Sequence, residues 1–338
     1  MKYLALALAL LPAVFQAAHA TAPRPLDVQR EDVRDFVEQA YREHGLEREA
    51  VRAVLVTARL QPGIVSALDR PAERVRPWHE YRQIWMTEER IRAGIDFWRE
   101  HRELIERIAR DTGVPGEILV GIIGVETYYG RIIGRHQVLD ALATQAFDYP
   151  RRQAFGTRQL AEFLLLVREQ RLEIDGLTGS YAGAMGLPQF IPSSYRAYAV
   201  DGDGDGRVDL WNSIDDVLAS VANYFLAHRW RPGEPVVAPA VPGAGDPASL
   251  ASQDHRAPNT TTGALWEAGI GLAGPAPSSP AAAAGLFALE HENGPRYYAG
   301  FHNFYVITKY NHSLMYALAV HQLGQAIKAR MPDVQDAG

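Results

Sequence analysis

Apolar residues recur at three- and four-residue spacing over most of this sequence, the period of a helix with one buried face. Val33, Phe36, Val37, Ala40 and Tyr41 share such a face within residues 27–60, and 46–60 repeats the pattern until Pro62-Gly63 breaks it. Thr87 stands where an N-cap belongs, with Glu88 and Glu89 in the first turn of the helix it opens. That helix carries a stripe of Ile91, Ile95, Trp98, Leu104, Ile105 and Ile108 through Arg110, and Asp111-Thr112-Gly113 ends it. Pro115 suits the first turn of a further helix reaching about Thr127. Others are predicted over 158–171 and, behind a Ser213 cap, over 214–228. Helical periodicity returns over 301–331.

Two stretches break the period. Gly and polar turn residues dominate 176–212, which reads as a long structured loop. Residues 231–280 are rich in Pro, Ala, Gly, Ser and Thr, and short runs such as 235–238 suit strands. This is a small β-rich module or an irregular insertion. The first twenty residues differ again: Met1-Lys2, an apolar run over 3–15, then Ala18-His19-Ala20 with small residues where a signal peptidase reads. A cleaved secretory signal is expected, since the run is shorter than the ~20 residues of a spanning helix and Pro12 interrupts it. No later stretch suits a transmembrane anchor.

With 338 residues, 47% apolar and 22% charged, the chain can bury a substantial core. It has no cysteine, which excludes disulfides, thiolate metal sites, a cysteine nucleophile and a cysteine-linked lipid. A net charge of −6 argues against a generally basic nucleic-acid binder.

Three segments carry chemistry. In the first, Ile118, Ile122 and Glu126 are spaced by four on an apolar face, with Glu126 at the C-terminal end of its helix. Desolvation and the negative end of the helix dipole both disfavour a carboxylate there, as suits a general acid. Tyr128 and Tyr129 follow, with rings suited to sugar faces. The plainer alternative pairs Glu126 with Arg131 or Arg135. In the second segment, residues 180–195, Gly183 and Gly186 allow close backbone approach. Ser180, Gln189 and Tyr195 offer hydrogen bonds to hydroxyl and amide groups, unless they simply cap a tight loop. The third, Asp201 to Asn212, has Asp201, Asp203 and Asp205 at positions one, three and five of a calcium loop, with Gly206 at six. Arg207 would give its carbonyl at seven, and Asp209 stands at nine. Asn212 replaces the usual bidentate Glu at twelve, and Asp215 or Asp216 is open as a substitute. A Gly-Asp turn without metal is the alternative. His291, His302, His312 and His321 lack metal-ligand spacing and read as structural.

At these residues the chain resembles the B-type lytic murein transglycosylases. The likeness runs from Pro-Trp-His-Glu-Tyr-Arg at 77–82 to Gln325. It is carried by Gly-Val-Glu-Thr at 124–127, Ala-Leu-Ala-Thr at 141–144, Tyr-Pro-Arg-Arg at 149–152, Ala-Gly-Ala-Met-Gly at 182–186, Pro-Ser-Ser-Tyr at 192–195 and Lys-Tyr-Asn-His-Ser at 309–313. The resemblance implies a mainly α fold, with a lysozyme-like helical catalytic core, an additional α domain and a small β-rich insertion. The division expected is a helical domain over 21–106, the core over 107–231, the β module over 232–299, and a return to core and α domain over 300–331. It implies cleavage of the β-1,4 bond between N-acetylmuramic acid and N-acetylglucosamine, leaving 1,6-anhydromuramoyl ends. The catalytic acid falls on Glu126. Substrate contacts fall on Ser180, Gln189, Tyr310, Asn311 and Tyr316, with Tyr149 and Phe155 at the Tyr-Pro-Arg-Arg segment. Phe155 stands where many relatives carry an aromatic hydroxyl, so a ring survives and a hydrogen bond does not. Structural calcium falls on Asp201 to Asn212. Glycan strands are the expected partner, with no nucleic acid, for a monomeric, periplasmic, non-lipidated protein.

Glycosidases ordinarily flank the bond with two carboxylates. Asp140 and Asp148 are near Glu126 only in sequence, and a transglycosylase manages with one. Residue chemistry alone leaves open a hydrolytic muramidase and a non-catalytic peptidoglycan-binding protein.

Overall fold

The computed structural model describes residues 22–69, 76–254 and 256–331, so the signal segment read at 1–20 lies outside the described residues. The architecture is mainly helical, with one five-stranded antiparallel sheet. At its centre is the helix Gly116–Thr127, almost every residue of which is buried. A helix apolar all round has no solvent face to present, so it must be covered on every side.

Its principal partner is the helix Leu314–Lys328. A Cβ on Gly121 would stand 2.6 Å from the carbonyl oxygen of Val320, and one on Gly324 would stand 2.1 Å from that of Glu117. Only glycine permits backbones this close. The two approaches pair 121 with 320 and 117 with 324, so the helices run antiparallel in a fixed register. That register sets Tyr316, two residues past the start of one helix, beside Glu126, one residue before the end of the other. Ser313 caps the second helix by accepting a 3.2 Å hydrogen bond from the Tyr316 amide.

Most of the predicted helix boundaries hold. Thr87 accepts from the Arg90 amide, Ser213 from the Asp216 amide, and Gly113 ends its helix in the left-handed conformation. Four expectations are corrected. Pro62-Gly63 opens the helix Pro62–Asp69, because proline suits a first turn as readily as it ends a helix. Tyr41 lies 38% exposed, its ring covered by the Arg48 guanidinium 3.5 Å away, so the buried face stops at Ala40. The long stripe divides at His101 (φ −111°) into Glu88–Glu100 and Arg102–Thr112, which sets Ile105 and Ile108 into the core on a new axis. The 176–212 loop contains the helix Pro192–Tyr198, again opened by a proline.

The sheet orders its strands Thr260–Thr261, Ala283–His291, Gly294–Phe301, Val237–Pro242 and Ile270–Leu272. Its long hairpin pairs Phe287 with Tyr298 and Leu286 with Ala299. Alternation along the strands then gives two faces. Phe287 stacks on Phe304 (5.0 Å) and joins the main core, whereas Leu286, Ala299, Ile270 and Leu265 close a second, smaller core within the sheet module.

Candidate active site

Glu126 is half-buried at the last turn of the central helix, and the Tyr316 hydroxyl donates a short hydrogen bond to its Oε1. Tyr316 is 2% exposed. Burial above all, then the negative charge of Glu126, pushes its pKa well above the ordinary tyrosine value. Tyr310 stacks on Tyr316 with ring centroids 6.5 Å apart and planes 12° apart, and its hydroxyl donates to the Pro188 carbonyl at 2.6 Å. Its pKa is likewise raised by burial and then by Glu126. Glu126, Tyr316, Tyr310 and the 180–190 loop are thereby gathered into one constellation.

The chain leaves the Glu126 helix abruptly. Tyr128 and Tyr129 both adopt left-handed backbone (φ 53° and 57°), which costs about 1–2 kcal/mol each for residues carrying a Cβ. Thr127 offsets part of this by donating to the Leu187 carbonyl at 3.1 Å and accepting from the Gly130 amide, which ties the acid to the second segment. Arg131 lies 5.0 Å from the Tyr128 ring centroid. The two carboxylates that sequence proximity offered as partners, Asp140 and Asp148, are committed elsewhere. Asp140 is buried and accepts from the Arg59 amide (2.8 Å) and Gln61 Nε2 (2.9 Å), while Asp148 pairs with Arg24 at 2.6 Å.

Several sequence-predicted contacts have polar groups already engaged within the protein. Ser180 Oγ accepts from the Ala182 and Ala184 amides, which leaves its O–H to donate. Gln189 holds a left-handed backbone (φ 52°), and its Nε2 donates to the carbonyls of Ile133 (3.0 Å) and Gly186 (2.9 Å), leaving Oε1 as an acceptor. Tyr195 is buried and donates to the Val208 carbonyl at 2.6 Å. Tyr149 donates to Asp69 at 2.8 Å, the bond that raises its pKa. Phe155 has the Arg152 guanidinium 4.3 Å over its ring. Asn311, between the helices His302–Tyr310 and Leu314–Lys328, makes no side-chain hydrogen bond among the described residues and is free to offer its amide.

Arg90 is the residue that sequence reasoning passed over. Half-buried, it donates to the Gly124 carbonyl on the Glu126 helix and lies between the rings of Trp85 (5.0 Å) and Tyr128 (4.3 Å). Burial pushes its pKa down. An arginine beside an apolar stripe was the available signal.

Behind the 180–190 loop lies the acidic loop. Leu187 donates to the Leu210 carbonyl at 2.8 Å and Trp211 Nε1 to that of Thr178 at 3.0 Å, so the two loops are bound together. Asp201, Asp203 and Asp205 place carboxylate oxygens within 4.8 Å of one another. Asp201 accepts from the amides of Gly204 and Gly206, and the Gly206 bond lowers its pKa most, keeping it ionised. Three convergent hard oxygens fit a calcium ion. Asp209 instead accepts from the Trp211 and Asn212 amides and from Asn212 Nδ2, so it is turned in on its own turn. Buried Asp216 pins the loop from beneath through the Gly202 and Asp209 amides (2.7 Å each), and Asp215 pairs with Arg107 at 3.1 Å.

The helical core that carries this half-buried glutamate has the lysozyme-like helical fold of the lytic transglycosylases. The family described as Transglycosylase SLT domain matches residues 28–325, and the chain belongs to it, among the B-type lytic murein transglycosylases. The membrane-bound lytic murein transglycosylase B of Escherichia coli (strain K12) is 39% identical over 308 residues, covering 88% of this chain and 82% of that protein. The crystal structure of soluble lytic transglycosylase SltB1 from Pseudomonas aeruginosa is 44% identical with a TM-score of 0.82, covering 88% of this chain and 98% of that one. The 2.1 Å structure of Escherichia coli lytic transglycosylase Slt35 in complex with calcium is 37% identical with a TM-score of 0.80, covering 92% and 97%. The protein is an enzyme, a peptidoglycan-cleaving lyase.

Proposed function

We propose that this enzyme cleaves the β-1,4 bond between N-acetylmuramic acid and N-acetylglucosamine and leaves 1,6-anhydromuramoyl ends, with Glu126 serving as acid and then as base. The observation that carries this reading is the hydrogen bond that the buried Tyr316 phenol donates to Glu126. Because Tyr316 donates to Oε1, the transferable proton rides on Oε2. Glu126 gives that proton to the glycosidic oxygen as the C1–O bond breaks. The resulting carboxylate is stabilised by the same hydrogen bond and takes the proton of the muramoyl 6-hydroxyl. The 6-oxygen closes on C1, so no water is consumed and the acid is regenerated. With Asp140 and Asp148 committed elsewhere, the charge at C1 falls to the substrate's own N-acetyl carbonyl, which the free amide of Asn311 is suited to hold. Ring closure gains from proximity that bulk water lacks.

The acidic loop holds calcium through Asp201, Asp203 and Asp205, with the carbonyl of Arg207, and acts as a structural brace beneath the 180–190 loop. Asp209 and Asn212 contribute to the turn. The four-part division over 21–106, 107–231, 232–299 and 300–331 is supported by the separate small core of the sheet module. Export by the 1–20 signal to the periplasm accords with a murein substrate, and the sequence has no cysteine for a lipid anchor. Among the described residues no helix is long and apolar enough to cross a membrane. The enzyme acts as a monomer on glycan strands.

The test is digestion of purified sacculi by the protein and by Glu126→Gln. The variant keeps the fold, by its thermal transition, and loses nearly all release of muropeptides. Ordinary turnover by the variant removes Glu126 from the chemistry.

A further inference from the structure

A second polar pocket lies apart from Glu126, where three stretches of chain meet. It is a cavity of about 410 Å³ between the helix Trp78–Trp85, the tip of the 283–301 hairpin and the helix Leu314–Lys328. Arg82, Arg296, His79 and His291 line it, with Glu292 as the one acid of the lining. Among the described residues neither guanidinium has a carboxylate within ion-pair distance, although eleven arginine–carboxylate pairs occur elsewhere among those residues. The lining is oriented. Arg82 Nε donates to Gln322 Oε1 at 2.8 Å, which leaves its two terminal nitrogens to the pocket, and His291 Nε2 meets the Tyr298 hydroxyl at 2.9 Å.

We propose that this pocket binds a carboxylate of the peptide stems borne by the glycan substrate. Two guanidiniums without a carboxylate partner suit a planar carboxylate, whereas a neutral sugar has no use for two unpaired positive charges. The place is right as well. The helix that carries Arg82 carries Tyr81 on its inner face, close enough to Tyr316 to bear on its ionisation. Gln322 lies less than two turns beyond Tyr316 on one helix. The pocket and the hydrogen-bond partner of Glu126 are thus built on the same helix, Leu314–Lys328. Burial and then the positive charges of Arg296, Arg82 and His79 depress the pKa of His291. A bound anion reverses the second of these effects, which supplies a reporter.

This assignment rests on the murein substrate of the preceding section, so its first arm requires no turnover. The full chain carrying Glu126→Gln is titrated with a free stem tetrapeptide and, separately, with inorganic phosphate, with histidine ring resonances followed by NMR. The tetrapeptide is expected to bind and to raise the His291 pKa, and Arg82→Ala with Arg296→Ala is expected to weaken it about tenfold or more. Equal binding by the double variant, or binding of phosphate without the peptide, overturns the proposal. The second arm compares kcat/KM on peptide-bearing and peptide-stripped strands in the active enzyme. The double variant is expected to lose about tenfold on the former and nothing on the latter. Equal rates on both strands overturn it. Products carrying reducing ends would overturn the anhydro reaction alone and leave the peptide binding standing.

Discussion

Glu126 and Asp201 are both carboxylates that accept hydrogen bonds, and they are held by opposite means. Glu126 meets a side chain 190 residues away, brought there by two helices whose glycines let their backbones approach. Asp201 accepts from amides three and five residues ahead, in an exposed loop that folds on itself. The first arrangement is costly and stiff, as a proton-transfer geometry requires. The second is local and forgiving, as suits a brace that a cation completes. Damage to the two regions should therefore differ in kind: loss of fold or of turnover at one, loss of ion-dependent stability at the other.

The largest effect is expected at the helix contact. Gly324→Val drives a side chain into the Glu117 carbonyl and should destabilise the protein by more than about 3 kcal/mol, read by urea denaturation. Ordinary stability in that variant would break the register argument. Next comes His321, on the same helix, whose pKa is depressed to about 4, chiefly by burial. Between pH 6.5 and 4 the unfolded chain takes up a proton that the folded chain refuses, so stability falls as the pH drops through that window. The loss should approach about 3 kcal/mol, and His321→Leu should flatten it in a series of melts across pH. Tyr316→Phe removes the donor to Glu126 while keeping the ring. It should cut kcat by about ten- to a hundredfold with little change in melting temperature. The smallest effect belongs to the loop. Asp203→Asn should abolish a calcium-induced rise in melting temperature of a few degrees and leave kcat nearly unchanged. A collapse of activity in that variant would erase the distinction between the two regions.

The same contrast accounts for what was legible in the sequence. Thr87, Ser213 and Gly113 act over one helical turn, and the aspartates of 201–205 over five residues, so spacing alone reveals them. Pro62 misleads because proline serves at a helix start as well as past its end, and nothing local decides which; Pro192 likewise opens a helix inside a stretch that reads as loop. Spacing placed Glu126 at an apolar helix terminus, but no spacing places Tyr316 against it. That contact follows from the pairing of 121 with 320 and 117 with 324. The family likeness attached Tyr316, Gln189 and Ser180 to the substrate. Packing adds that Tyr316 donates to the acid and that the Gln189 amide nitrogen and the Ser180 oxygen also bond backbone. Arg82 and His291 were invisible as a pair, since only the fold joins residues 209 positions apart.

The central claim is that Glu126 moves both protons and that the attacking oxygen belongs to the substrate. Digestion in water enriched in heavy oxygen, followed by mass spectrometry of the muropeptides, tests it most directly. The account predicts anhydro products that carry no label. One heavy oxygen at each new muramoyl end would show that water is the acceptor and would contradict it.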